Sequence, residues 1–136
     1  MSTRLDQAFA RMTAEQRTGL VAFVSGGDPT LERSGEVIRA VDEGGADVIE
    51  IGVPFSDPLA DGPEIQRSSE RALRAGATLR GVLDLVAALR KDVAAPLVLF
   101  SYANPVVRYG VEAFAARAAE VGVDGVLLLD LPLEEA

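Results

Sequence analysis

The chain has 136 residues, 49% of them apolar, a formal net charge of −8, and neither cysteine nor histidine. That length fits one domain or part of one, and the acidic balance, with no basic cluster or interleaved aromatics, excludes nucleic acid as a natural partner. Disulfide and thiolate chemistry are excluded with the cysteines, and the commonest general base and metal ligand with the histidines, which leaves carboxylates, Tyr, Ser, Lys and Arg to do any chemistry.

No apolar stretch approaches the ~20 residues of a membrane span, and the opening "MSTRLDQAFARM" reads as a polar helix without a secretory core. A soluble, cytoplasmic chain is expected. "TAEQ" at 13 to 16 is a weak capping-box match. The first apolar run, Leu20 to Val24, is followed by the turn "GGDPT". Thr30 then caps a helix with Leu31, Val37, Ile38 and Val41 at helical spacing, ending at Gly44-Gly45. A second apolar run covers Val48 to Val53. Pro63, a good first-turn residue, opens a short additional helix within 62 to 75. Thr78 caps the next helix, with Leu79, Val82, Leu83, Val86 and Leu89 on one side. The third apolar run is Leu97 to Phe100. A helix with Val111, Phe114, Ala115, Ala118 and Val121 follows, stopping at Gly122, and the fourth run is Val126 to Leu131.

These runs are near-continuous rather than alternating, as in parallel strands covered on both faces, and the βαβαβαβ order implies right-handed crossovers. Gly45-Ala46-Asp47 precedes the second strand as Gly122-Val123-Asp124 precedes the fourth, so one βα unit is reused. Pattern alone leaves a doubly wound sheet and half of a (βα)8 barrel open. "GGDPT" is not a dinucleotide fingerprint, which weakens the former. In both folds the loops at Gly26 to Pro29, Gly52 to Pro63, Ser101 to Gly110 and Asp130 to Ala136 gather at one end of the sheet.

Glu50 interrupts the run Val48 to Val53, where an ionised carboxylate either finds a partner or has its pKa raised into the range a general acid or base needs. A structural ion pair, or a hydrogen bond to a neighbouring strand residue, is the alternative. Asp61, in "LADGP", reads by itself as a turn residue, but an eleven-residue loop can fold its carboxylate back over the strand end, giving two carboxylates in two environments. Asp57 precedes Pro58 and reads as loop shaping. In "YANP" at 102 to 105, Tyr102 is a core aromatic or a site residue. Asp130 is a helix cap or a catalytic group, whereas Asp47 and Asp124, at the opposite strand ends, read as stability residues.

"LVAFVSGGDP", "EIGVPFSDPLADGPEIQ", "YANP" and "VGVDGVLLLDLP" together resemble, in order and over nearly the whole chain, the alpha subunit family of tryptophan synthase. The resemblance implies a (βα)8 TIM-type barrel and retro-aldol cleavage of indole-3-glycerol phosphate to indole and glyceraldehyde 3-phosphate without a cofactor. By motif, Glu50 matches the acid/base residue moving protons between the glycerol hydroxyl and indole C3. Asp61 matches the carboxylate that accepts the indole N–H. Phe23, Ile65, Tyr102 and Leu127 match the indole pocket. Asp57, Pro58, Asn104, Pro132, Glu134 and Glu135 match the surface that meets a beta subunit carrying pyridoxal phosphate, in an alpha2beta2 assembly. Two residues depart from the family pattern: Glu64 stands where Thr or Val is more usual, adding a nearby charge, and Phe100 replaces a more usual Leu, narrowing the pocket.

Family members are nearly twice this length. Residues 1–136 are expected to form the N-terminal part of a single barrel domain, the first four strands with their helices, without the phosphate site built from later loops. Such a half-barrel is expected to aggregate or to pair through its edges. The alternatives are a non-catalytic scaffold for the beta subunit and another phosphate-binding barrel of the same pathway.

Overall fold

Helix α1 (Arg4–Ala14) begins with a reciprocal cap in which the Thr3 hydroxyl accepts the Asp6 N–H at 3.1 Å and the Asp6 carboxylate accepts the Thr3 N–H at 2.9 Å. The capping box therefore lies here and not at "TAEQ", whose Thr13 is in the last turn of α1 and donates to the Phe9 carbonyl. The computed structural model describes residues 2–135, so Met1 of the first motif and Ala136 of the last loop lie outside the described residues.

Four strands follow: β1 (Val21–Ser25), β2 (Val48–Gly52), β3 (Leu97–Ser101) and β4 (Gly125–Leu128). They form one sheet in the order β1-β2-β3-β4, every pair parallel. Spatial order follows chain order with no reversal. A doubly wound sheet reverses at a switch point, so the alternative left open by the sequence resolves to barrel winding.

The crossovers are α2 (Leu31–Glu43), α4 (Leu79–Leu89) and α6 (Val111–Val121), with α2 packed on α4 and α4 on α6. The hydroxyls of Thr30 and Thr78 accept the N–H groups of Arg33 and Gly81, the caps expected from the sequence. Two further helices sit at the strand C-terminal ends: α3 (Pro63–Arg74) after β2, as Pro63 signals, and α5 (Ala103–Tyr109) after β3, where the sequence reads as loop.

Pleating splits each strand between two faces. Ile49, Ile51, Leu97 and Leu99 are fully buried against Ile38, Val82, Leu83, Val86 and Phe114 of the helix layer. Three apolar residues assigned to helix stripes miss that core: Val37 and Val111 are 45% and 59% exposed, and Ala115 is also exposed. On the other face, Phe23, Glu50 and Val98 stand in register, as do Gly52, Phe100 and Leu127. This second face is only partly covered, and Leu127 is 40% exposed.

Candidate active site

Glu50 occupies the middle of β2, on the second face, half-buried between its register neighbours Phe23 and Val98. The helix-facing residues on either side, Ile49 and Ile51, are fully buried, so the apolar run and the carboxylate belong to opposite faces of one strand. The ion-pair alternative is not realised: among the described residues Glu50 enters none of the salt bridges that hold Asp28, Asp47 and Asp124.

Asp61 reaches the same end of the sheet from the loop between β2 and α3. The Tyr102 hydroxyl donates to Asp61 Oδ2 at 3.2 Å and accepts the Ala60 N–H at 2.9 Å. The Tyr102 ring packs on Phe55 with centroids 5.1 Å apart. Gln66 on α3 donates to the Asp61 carbonyl at 2.8 Å. The loop is thus tied to the end of β3 and to α3. Burial, with the nearby Asp61 carboxylate, pushes the Tyr102 phenol above its ordinary pKa, so the hydroxyl keeps its proton.

Phe23, Ile65 and Tyr102 line one cavity together with Asp61, Phe100 and Ser69. Phe23 and Phe100 meet edge to face at 5.4 Å, the narrowing that a Phe at position 100 implies. Gly52 makes this possible, since a Cβ there would stand 2.5 Å from Phe23 Cζ. Leu127 lies beside Phe100 on the same face but outside this cavity. Glu64 points away from it: the side chain is 86% exposed and pairs with Arg67, so the third charge expected beside the pocket is on the solvent side of α3. Among the described residues no Lys or Arg lines the cavity.

Asp130 caps α5, its carboxylate accepting the Ala103 N–H at 2.7 Å, the structural role that the sequence allowed. Asp57, Asn104, Pro132, Glu134 and Glu135 are exposed and Pro58 is half-buried. Beside them, Leu59 and Leu133 are 91% and 90% exposed, a pair of apolar residues that sequence reasoning passed over.

The sequence also gave no notice of Asp28. Its carboxylate accepts two N–H groups of Arg71, at 2.9 and 3.0 Å, and the Ser68 hydroxyl. Arg71 and Ser68 hold its carboxyl below the usual carboxylate range, partly offset by burial. Because Ile65 and Ser69 of α3 form part of the cavity wall, the turn after β1 fixes that wall through Asp28. Only a matched Asp in a turn and Arg on a helix 43 residues on could have signalled it.

The family model for the tryptophan synthase alpha chain matches residues 9–136. A tryptophan synthase alpha chain of Burkholderia thailandensis is 56% identical over 135 residues, covering 98% of this chain and 50% of its own length. Among solved structures, tryptophan synthase subunit alpha from Legionella pneumophila superposes with a TM-score of 0.96 at 41% identity, covering all of this chain and 52% of that one. A tryptophan synthase from M. tuberculosis in an open form superposes at 0.94 with 40% identity, over 100% of this chain and 54% of that one. The chain spans about half the length of the relatives it matches. It belongs to the tryptophan synthase alpha chain family.

Proposed function

We propose that this chain is the N-terminal half of a barrel domain and carries the proton-transfer groups for retro-aldol cleavage of indole-3-glycerol phosphate to indole and glyceraldehyde 3-phosphate. The observation that carries this reading is the Glu50 carboxylate, without a salt bridge among the described residues, in register with Phe23, which lines a cavity with Asp61, Phe100 and Tyr102 that Glu50 itself does not line. In the reaction a proton reaches indole C3, a proton leaves the hydroxyl on the adjoining glycerol carbon, and the bond between those carbons breaks. The proton count balances, so one carboxylate able to give and take a proton serves both transfers.

Glu50 is that group. Asp61 accepts the ring N–H and, as an anion, stabilises the positive charge that builds on the ring as C3 is protonated. Phe23, Phe100, Ile65 and Tyr102 supply flat apolar walls, with Leu127 at the margin. Among the described residues no Lys or Arg lines the cavity, and the phosphate site is expected from loops later in the barrel. No cofactor enters this proton balance, and pyridoxal phosphate belongs to a beta subunit. Asp57, Pro58, Asn104, Pro132, Glu134 and Glu135, with Leu59 and Leu133 as apolar anchors, form the surface offered to that subunit.

The test is release of indole from indole-3-glycerol phosphate by the polypeptide carrying these residues, with and without a beta subunit. Glu50→Gln is expected to lower the rate by about 10²–10⁴-fold with substrate binding retained. Release that survives Glu50→Gln overturns the reading.

A further inference from the structure

Helix α3 carries one wall of the cavity, yet little apolar surface holds it in place. Its buried residues are Ser68, Ser69 and Ala72, and its two large apolar side chains, Ile65 and Leu73, are at best partly covered. That burial contributes far less than Ile38 gives α2 or Leu83 and Leu89 give α4, so the placement of α3 falls to its polar contacts. Those contacts converge on Asp28, which accepts two N–H groups of Arg71, at 2.9 and 3.0 Å, and the Ser68 hydroxyl. The turn that bears Asp28 is itself well anchored. The Gly26 N–H donates to the Gly52 carbonyl at 2.8 Å. The Gly27 N–H donates at 2.9 Å to the buried Ser34 hydroxyl, which donates in turn to the Leu31 carbonyl at 3.0 Å. At Gly27, with φ of +92°, a Cβ would stand 2.5 Å from the Ala77 Cβ, so the turn lies directly against the segment that follows α3. Nearer the N-terminus of the same helix, Gln66 donates to the Asp61 carbonyl at 2.8 Å. A connected set of hydrogen bonds thus runs from the turn after β1, through α3, to Asp61.

We propose that Asp28 is a positioning residue for Asp61: through Arg71 and Ser68 it fixes α3, and α3 fixes through Gln66 the backbone from which the Asp61 carboxylate meets the ring N–H of a ligand. Asp28 itself touches no ligand. The proposal rests on the reading of Asp61 as the N–H acceptor, and it requires neither cleavage nor movement of the loop. Tyr102 holds the same loop from β3, so Asp61 is set between two supports and loses one of them with Asp28. An acceptor that is poorly placed forfeits much of a directional hydrogen bond, while apolar walls still bind the ring. Loss of Asp28 therefore shows in discrimination between ligands with and without the donor, not in affinity for the ring as such.

The test compares the dissociation constants of indole and 1-methylindole for the polypeptide carrying these residues. The second probe has the same ring without the N–H, so the ratio of the two constants reports the bond to Asp61. Wild type is expected to favour indole about tenfold, the worth of one hydrogen bond to a charged acceptor, and Asp61→Ala to abolish that preference. Asp28→Ala and Arg71→Ala are each expected to lower it to about threefold with 1-methylindole binding unchanged, and the double variant to lower it no further, since both remove the same tie. Arg71→Lys, which keeps the charge but not the two-point contact, is expected to recover part of the preference. Asp28→Asn is a milder change in the same direction, and it carries the test if Asp28→Ala does not fold. Arg74→Ala, which breaks an exposed ion pair with Glu70 on the same helix, is expected to leave the wild-type preference intact. A tie that serves only stability predicts no change in the ratio. If Asp61→Ala abolishes the preference while the Asp28 and Arg71 variants keep it, the role of Asp28 is overturned and the reading of Asp61 stands. If the preference survives Asp61→Ala, that reading falls and the proposal with it. Because neither probe is cleaved, the ratio decides the matter even if Glu50→Gln leaves turnover intact.

Discussion

Asp47 and Asp124 secure the starts of β2 and β4 by the same device. The Asp47 carboxylate accepts the Leu20 N–H at 2.8 Å while its own N–H donates to the Leu20 carbonyl at 2.9 Å. Asp124 repeats both bonds with Leu97, at 2.9 and 2.8 Å. Arginines complete each site: Arg17 with both guanidinium ends on Asp47, and Arg90 with Arg4 on Asp124. The sequence repeat Gly-Ala-Asp and Gly-Val-Asp is thus a repeated way of joining one parallel strand to the next, at the end of the sheet away from the cavity.

Asp47 makes stability depend on acid. The Arg17 guanidinium and the Leu20 N–H hold its carboxyl at about 2. A carboxyl held low in the fold contributes stability that is fully present above the unfolded value of about 4 and is lost as pH falls through the folded value. Urea unfolding followed across pH is expected to show a midpoint that falls between about pH 4 and 2. In Asp47→Asn the midpoint at neutral pH is lower and its acid dependence shallower.

Asp28 ties α3 to the turn after β1. Asp28→Ala removes the acceptor for Arg71 and Ser68 and is expected to cost on the order of 1 kcal/mol, since Arg71 is half exposed. The more telling measurement is amide hydrogen exchange, which should quicken in α3 while β1 to β4 stay protected.

At Gly52, any Cβ meets the Phe23 ring at 2.5 Å, and the ring is confined by Phe100. Gly52→Ala is expected to destabilise by about 1–3 kcal/mol in thermal unfolding and to weaken indole binding, because Phe23 must leave its place over β2. Phe23→Leu in the same background should recover part of the stability.

Glu50 has no salt-bridge partner among the described residues, so Glu50→Gln is expected to leave stability within about 0.5 kcal/mol of wild type, or to raise it. Asp124→Asn, which breaks a buried pair with Arg90, should be markedly destabilising under the same conditions. Equal losses from the two substitutions would contradict an unpartnered Glu50.

Much of this was legible along the chain. Short apolar runs, the caps at Thr30 and Thr78, and Pro63 opening α3 are local signals, since each concerns residues within one or two turns of each other. The same holds for Glu50, whose presence in an apolar run is visible without any neighbour. Val37 and Val111 were misassigned because helical spacing identifies a stripe but not how far the partner layer extends over it. α5 was missed because Asn104-Pro105 signals a turn, and Pro is equally suited to a helix's first turn.

The elements, their parallel order and the odd placement of Glu50 are written along the chain, because they follow from periodicity, capping and one misplaced charge, whereas Asp61 reads locally as a turn residue. Winding and side-chain partnership came from the fold. Barrel winding came from the strand order, and the unpaired state of Glu50 from the lack of any salt bridge to it among the described residues. The hold of Tyr102 on Asp61 joins residues 41 apart, and the hold of Arg71 on Asp28 joins residues 43 apart. Such bonds depend on where folded backbones bring side chains together, and no local pattern encodes that distance.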